Sequence, residues 1–428
     1  MTPLLVALGA TLAPAVAAPA QQQCAWGAGA PVHQPAAESS PLNLTCTPPS
    51  LVGPGTAAVA ADTALLGPEV YLDAQLFSYH PKPKPTGDGK VKVALLSMGG
   101  ADGHSPLSTS LQYLDKAGSL GTDLAVLPEN FAQKHVGKVG DMDPPPQPVT
   151  GPIITAVAAV ARKHGMFVVA PIREKRGASE ILNTAVVIAR NGTVIGRYSK
   201  LFPVLGPPDA LGPGSREQQV YPSNHGVVAV DLEGIGRISL AICFDINFGE
   251  IFHQAANLGA DILVWPSAMK TPDPFTYGCE RACTPETSSI SWSAQRELVV
   301  AADARLHQYH ILAVGHPGDI VDKTGEQHAT QNVSGFPLMK VGTIDVDRTF
   351  VHWDNNAAKM KQLMADHGAE VELELEGPPF FLLRSVGKNT SARALIAEYG
   401  IETARDYAQR SRQGLNMLRQ QGKAVPGA

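Results

Sequence analysis

The sequence predicts an α/β fold in which sheets are covered by helices, and three observations carry that prediction. Apolar strands alternate with amphipathic helices from Lys90 onward, two hairpin patterns interrupt the alternation, and 44% hydrophobic residues in a chain of 428 supply a sizeable core. Residues 91–96 read as a buried strand, 107–117 as a helix and 123–127 as a second strand. The unit repeats with an amphipathic helix at 153–164 and an apolar strand at 167–170. Residues 184–189 and 194–198 flank an Asn191-Gly192 turn and form a hairpin; a second hairpin spans 227–242 across 233–236. A helix at 248–258, a strand at 262–265, a longer helix around 293–306 and a strand at 311–314 restore the alternation. Residues 335–347 supply a last strand, and the chain beyond Thr349 is charged and largely helical in pattern.

Composition divides the chain. No Lys or Arg occurs before Lys82, and the segment is crowded with Ala, Pro, Gly and Gln. Residues 1–20 resemble a secretory signal in their apolar run and small residues, though the usual early basic residue is missing. An unstructured Ala/Pro-rich extension, or a misplaced start, is the other reading. Export would make the protein secreted or periplasmic, and its absence would make it cytoplasmic. Residues 21–89 form a partly disordered Ala/Pro/Gly-rich leader, 90–348 the core domain, and 349–428 a C-terminal extension serving packing or oligomerisation, with a homo-oligomer expected. Of five cysteines, Cys24 with Cys46 and Cys279 with Cys283 are the sequence-near pairings in an oxidising compartment, which leaves Cys243 alone. A formal charge of -5 gives no basic footprint for nucleic acid. No apolar run approaches the roughly 20 residues of a membrane-spanning helix. These exclusions leave a small-molecule partner.

Three reactive side chains follow apolar strands. Glu129 closes the run Leu124 to Pro128, a usual position for site residues of open sheets. Lys200 ends a hairpin strand, and Cys243 stands between an apolar strand and a helix start, where amides favour a thiolate and bind an oxyanion. Taken singly, the bland readings are a solvated acid, a surface lysine and an inert buried thiol.

Together they resemble the nitrilase superfamily of carbon-nitrogen hydrolases, whose catalytic set is Glu, Lys and Cys in that order. Glu129 precedes Lys200 by 71 residues and Lys200 precedes Cys243 by 43, spacings similar to that family's. The resemblance covers about 90–348 and implies a four-layer αββα sandwich, here with a mainly helical C-terminal extension. It also implies a second active-site glutamate at Glu217, although Glu233 and Glu250 lie near in sequence. True nitrilases typically show Cys-Trp-Glu, whereas Cys243-Phe244-Asp245 looks more like amidases and N-carbamoyl amidohydrolases. Gly249 stands where Pro is frequent, a departure from the family pattern.

The implied chemistry needs no metal and no cofactor. Cys243 attacks an amide or carbamoyl carbon while Glu129 takes the thiol proton. Lys200 and the Phe244 amide hold the oxyanion, and Glu217 orients Lys200 or the substrate nitrogen. Alternatives are a true nitrilase, or a catalytically silent sandwich that binds or scaffolds. A papain-like hydrolase is disfavoured because no Cys-Gly-Ser-Cys-Trp segment surrounds Cys243. No dinucleotide fingerprint, Walker loop or His-Glu-x-x-His helix is present.

Overall fold

The computed structural model describes residues 89–97, 107–135, 142–177, 180–203, 226–268, 299–315, 319–328, 330–353, 356–375, 380–387 and 390–420. The leader through residue 88, Cys24, Cys46, Cys279, Cys283 and Glu217 lie outside the described residues.

The chain begins with β1 (Lys90–Leu96), α1 (Leu107–Ser119), β2 (Leu124–Val126), β3 (Lys134–His135), β4 (Met142–Asp143), α2 (Pro152–His164), β5 (Phe167–Arg176), β6 (Glu180–Ile188) and β7 (Val194–Ser199). It continues through β8 (Ala229–Leu232), β9 (Gly236–Leu240), a 3-10 turn at Cys243–Asn247, α3 (Gly249–Asn257), β10 (Ile262–Pro266), α4 (Ala301–His307), β11 (His310–Val314) and β12 (Asp319–Val321). Then come β13 (Gln331–Val333), β14 (Phe336–Asp345), β15 (Thr349–His352), α5 (Ala357–His367), β16 (Val371–Leu375), β17 (Phe380–Ser385), α6 (Ala392–Glu398) and α7 (Ala404–Gln420).

Two principal sheets result, a seven-stranded one ordered β13-β14-β1-β2-β5-β6-β7 and a five-stranded one ordered β12-β11-β10-β9-β8. The strands joined through helices, β1 with β2 with β5 and β9 with β10 with β11, pair in parallel. Those joined by turns, β5 with β6, β6 with β7 and β8 with β9, pair antiparallel, as connection length requires. The two hairpins read from the sequence are β6-β7 and β8-β9.

The pleat sorts the side chains into layers, because successive residues of a strand face opposite sides. Val91, Val93 and Leu95 of β1, with Leu124 and Val126 of β2, join Ile238, Leu240, Ile262, Val264 and Leu312 of the second sheet in one buried cluster. The alternate residues Ala94, Leu96 and Ala125 pack instead on Leu114 of α1 and on Ile153, Val157 and Ala161 of α2. In the second sheet Leu263, Trp265 and Ile311 turn outward onto Ile251, Phe252 and Ala255 of α3 and Ala304 of α4. Helices, sheet, sheet and helices therefore follow in succession, and the central strands β2, β9, β10 and β11 are buried on both faces because both are covered. Where the sheets approach closely, a Cβ at Gly196 of β7 would come within 2.5 Å of Val230 Cγ2 on β8. Only glycine fits that crossing without displacement.

α2 illustrates how local sequence sets an element. Pro152 opens it at a position where a missing N–H costs nothing, and Ile153, Ile154, Val157, Ala158 and Ala161 make one buried face. Gly165 ends it at φ 63° and donates its N–H to Ala161 O.

Beyond Thr349 the sequence predicts mostly helix, and among the described residues there the structure has three helices together with a sheet that the sequence does not predict. β15, β17 and β16 form a three-stranded antiparallel sheet in that order. Its strands are short, and β16, Val371-Glu372-Leu373-Glu374-Leu375, is charged on one face, so charge density masked an alternation of period 2 there. Val351, Val371 and Leu383 of this sheet bury against Met360 and Leu363 of α5 and Leu395 and Ile396 of α6. The predicted helix at 293–306 is described only from α4 onward. The start of α7 packs within the chain: Ala404 is buried, Tyr407 stacks on His352 with centroids 3.9 Å apart, and Arg405 donates to Ala260 O, His307 O and Gln308 O at 2.8 Å each. Asp347, wholly buried, accepts from Ser385 Oγ at 3.1 Å, Ser391 Oγ at 2.7 Å and the Ala392 N–H at 2.5 Å, which ties β17 and the start of α6 to the end of the core.

Candidate active site

Glu129 lies just past β2 in the first sheet, Lys200 directly after β7 in the same sheet, and Cys243 just past β9 in the second. The ends of strands from facing sheets thus bring together residues far apart in sequence, the arrangement expected at the carboxyl edge of parallel strands.

Glu129 and Lys200 are buried and touch, with Lys200 Nζ donating to Glu129 Oε1 over 3.2 Å. Two further donors fix the carboxylate: Asn183 Nδ2 reaches Oε1 at 2.6 Å and the Ala268 N–H reaches Oε2 at 3.1 Å. Asn183 also accepts the Lys200 N–H on its own carbonyl at 2.8 Å, so one residue of β6 registers both charged groups. Burying this pair is costly, and convergent hydrogen bonds are what make it tolerable.

Cys243 is half-buried and is the one cysteine among the described residues. Its φ is 47°, in the left-handed region that a non-glycine residue occupies only when its surroundings over-determine it. Those surroundings are specific. Trp265 Nε1 donates to Cys243 O at 2.9 Å, and the preceding peptide N–H, that of Ile242, donates to Asp245 Oδ2 at 2.9 Å. The latter is one half of a capping box at the start of the 3-10 turn. Cys243 and Leu201 both pack against the cluster between the sheets.

Asp245 is the least expected member of the site. It is fully buried, it accepts from Tyr198 Oη at 2.7 Å and from the Phe202 N–H at 2.9 Å, and burial pushes its carboxyl up to about 6 against the opposing pull of Lys200. Tyr198, buried beside that carboxylate, has its phenol pushed well above the ordinary range, first by burial and then by the Asp245 charge. Phe244 is 38% exposed and meets Phe248 edge-on with centroids 5.7 Å apart, while Phe202 stacks on Phe248 at 3.7 Å.

Of the residues singled out in the sequence, Glu129 and Lys200 are thus in contact, and Asp245 links the backbone ahead of Cys243 to Phe202, two residues past Lys200, while Glu217 lies outside the described residues. Asn183, Tyr198, Asp245 and Trp265 were missed. Only Asp245 carried a signal, as the third residue of Cys-Phe-Asp. No group of three or more His, Cys, Asp or Glu is placed to hold a metal ion among the described residues, and no helix there is long and apolar enough to cross a membrane.

The carbon-nitrogen hydrolase model matches residues 92–320, over half of the chain and across all three strand ends. The chain belongs to the carbon-nitrogen hydrolase family. Among similar proteins of this family, the deaminated glutathione amidase of Mus musculus is 27% identical over 218 residues, covering 49% of this chain and 60% of that protein. The omega-amidase NIT3 of Saccharomyces cerevisiae is 26% identical over 255 residues, 55% of this chain and 84% of that one. The chain therefore spans well under two thirds of the mouse relative's length. The crystal structure of Saccharomyces cerevisiae Nit3, a member of branch 10 of the nitrilase superfamily, aligns with 61% of this chain and 93% of its own at 18% identity and a TM-score of 0.47.

Proposed function

We propose that this carbon-nitrogen hydrolase family member cleaves a non-peptide amide or carbamoyl bond through a thioester on Cys243. The observation that carries the proposal is the buried Lys200–Glu129 contact at 3.2 Å, with Asp245 linking the segment after Lys200 to the backbone ahead of a cysteine held at φ 47°. A lysine and a glutamate buried together at the ends of strands, with a cysteine on strained backbone at a strand end of the facing sheet, are costly to fold and useful for acyl transfer.

In the proposed reaction the Cys243 sulfur adds to the carbonyl carbon while Glu129 removes the thiol proton. Lys200 and the Phe244 N–H hold the developing oxyanion. The C–N bond then breaks, Glu129 returns the proton to nitrogen, and ammonia or an amine leaves with the thioester behind. Water, deprotonated by Glu129, attacks that thioester and releases the carboxylic acid and the thiol. Glu217 orients Lys200 or the substrate nitrogen in this scheme. The amidase names of the mouse and yeast relatives support an amide rather than a nitrile as substrate, as does Phe244-Asp245 after the cysteine.

The test is a panel of primary amides and carbamoyl compounds scored by released ammonia, run beside Glu129→Gln. Ammonia from the parent and none above background from the variant supports the reading. Silence of the folded parent across the whole panel supports instead a catalytically silent binding or scaffold protein.

A further inference from the structure

We propose that Asp245 is a positioning residue whose single carboxylate clamps the backbone ahead of Cys243 to both flanks of Lys200. This rests on the roles given to Cys243 and Lys200 above and adds a residue that those roles do not include.

The geometry is a three-way convergence. Oδ2 accepts from the Ile242 N–H at 2.9 Å and from Tyr198 Oη at 2.7 Å, and Oδ1 accepts from the Phe202 N–H at 2.9 Å. Ile242 immediately precedes the nucleophile; Tyr198 and Phe202 stand two residues before and two after Lys200. One side chain therefore sets where the lysine segment of the first sheet sits relative to the cysteine turn of the second. The Trp265 bond to Cys243 O at 2.9 Å holds the peptide after Cys243, and the Asp245 backbone N–H, donating to Ile242 O at 3.0 Å, holds the one before it, as a left-handed φ of 47° demands.

An acid is needed here, although burying it is expensive. All three partners are donors, and they occupy both oxygens. An asparagine would present its NH2 either to the Phe202 N–H or to the Ile242 N–H and Tyr198 hydroxyl, so at least one buried donor would be left facing another. Burial raises the Asp245 carboxyl to about 6, while Lys200 and the three hydrogen bonds oppose that rise. A fold that only needed to close the turn would not require a phenol from a strand of the other sheet.

The experiment compares Asp245→Asn, Tyr198→Phe and the double variant in the full chain. The readouts are kcat and KM on an amide that releases ammonia, the alkylation rate of Cys243 by iodoacetamide, and the thermal midpoint. Misplacing a reacting group by a fraction of an ångström is expected to lower kcat of Asp245→Asn at least ~10-fold with KM nearly unchanged. The alkylation rate shifts with it, Tyr198→Phe moves both in the same direction by less, and the double variant is no worse than Asp245→Asn. A folded Asp245→Asn with parental kcat and alkylation rate, whatever its thermal midpoint, overturns the proposal, as does a loss confined to KM. If Asp245→Asn does not fold, Tyr198→Phe decides: a lowered kcat supports the clamp and a parental kcat overturns it. Should Cys243→Ala retain turnover, it is the nucleophile assignment that fails; should Cys243→Ala be inactive while Asp245→Asn is parental, only the clamp fails.

Discussion

Lys200 Nζ and Glu129 Oε1 lie 3.2 Å apart with both side chains almost wholly shielded from water. Neither charge is compensated by solvent, so each depends on the other, and the carboxylate depends also on the Asn183 and Ala268 donors. The pair is thereby a structural element, and in the proposed reaction a chemical one.

Lys200→Ala tests both aspects. Loss of an oxyanion donor should lower turnover at least ~100-fold. Removing one partner of a buried ion pair should also cost roughly 3–5 kcal/mol in chemical denaturation, because Glu129 is left buried without its cation. A variant that loses only substrate affinity would remove Lys200 from the oxyanion.

Glu129→Gln keeps the shape and removes the base. Acylation and deacylation should both stop, so that rapid mixing shows no burst of ammonia. A parental burst followed by slow turnover would confine Glu129 to the second step.

The legible part of this molecule is the part written in strands. Leu124 to Pro128 and Ile238 to Ile242 are apolar runs buried on both faces, so their ends, and the residues that close them, could be read off directly. Membership of the family followed from Glu129, Lys200 and Cys243 in order. The partners were not legible, because Asn183, Tyr198 and Trp265 sit in the middle of ordinary strands where Asn, Tyr and Trp carry no local signal. Their role arises from register: Asn183 accepts from Lys200 only because β6 pairs with β7 so that Thr184 meets Ser199. The sheet beyond Thr349 was missed for a different reason, since its strands are at most six residues long and carry Glu372, Glu374 and Arg384.

Asp347→Ala tests how the C-terminal sheet is joined to the core. The carboxylate accepts from Ser385, Ser391, and the Ala392 and Arg393 N–H groups. Its loss uncaps α6 and strands buried donors, and should cost on the order of 3 kcal/mol in urea denaturation. A loss below about 0.5 kcal/mol, the usual size at a surface site, would show that this junction contributes little.

His310 predicts an acid dependence. Burial first, and then the Lys323 charge, hold its imidazole down at about 3, with the Asp345 carbonyl and Asp322 opposing and Arg348 assisting. The folded state therefore binds fewer protons than the unfolded chain between the ordinary histidine value and 3. Its contribution is intact above about pH 6.5 and shrinks as pH falls towards 3, by up to about 1.4 kcal/mol per pH unit. Asp245 and Asp303, both raised to about 6, act with the opposite sign, their folded forms losing stability as pH rises from the ordinary aspartate value to 6. Urea midpoints of the parent and His310→Gln between pH 7 and pH 4 isolate the histidine component. The gap between them should change by that slope, and a constant gap would contradict a neutral buried His310.

The most direct measurement is the intact mass of the protein during turnover of a small amide, followed by peptide mapping. The account predicts a mass gain equal to the acyl group, located on the peptide containing Cys243, reversed as substrate is exhausted and absent in a folded Cys243→Ala variant that no longer releases ammonia. An acyl group on another residue, or ammonia release at near-parental rate by Cys243→Ala, would contradict it.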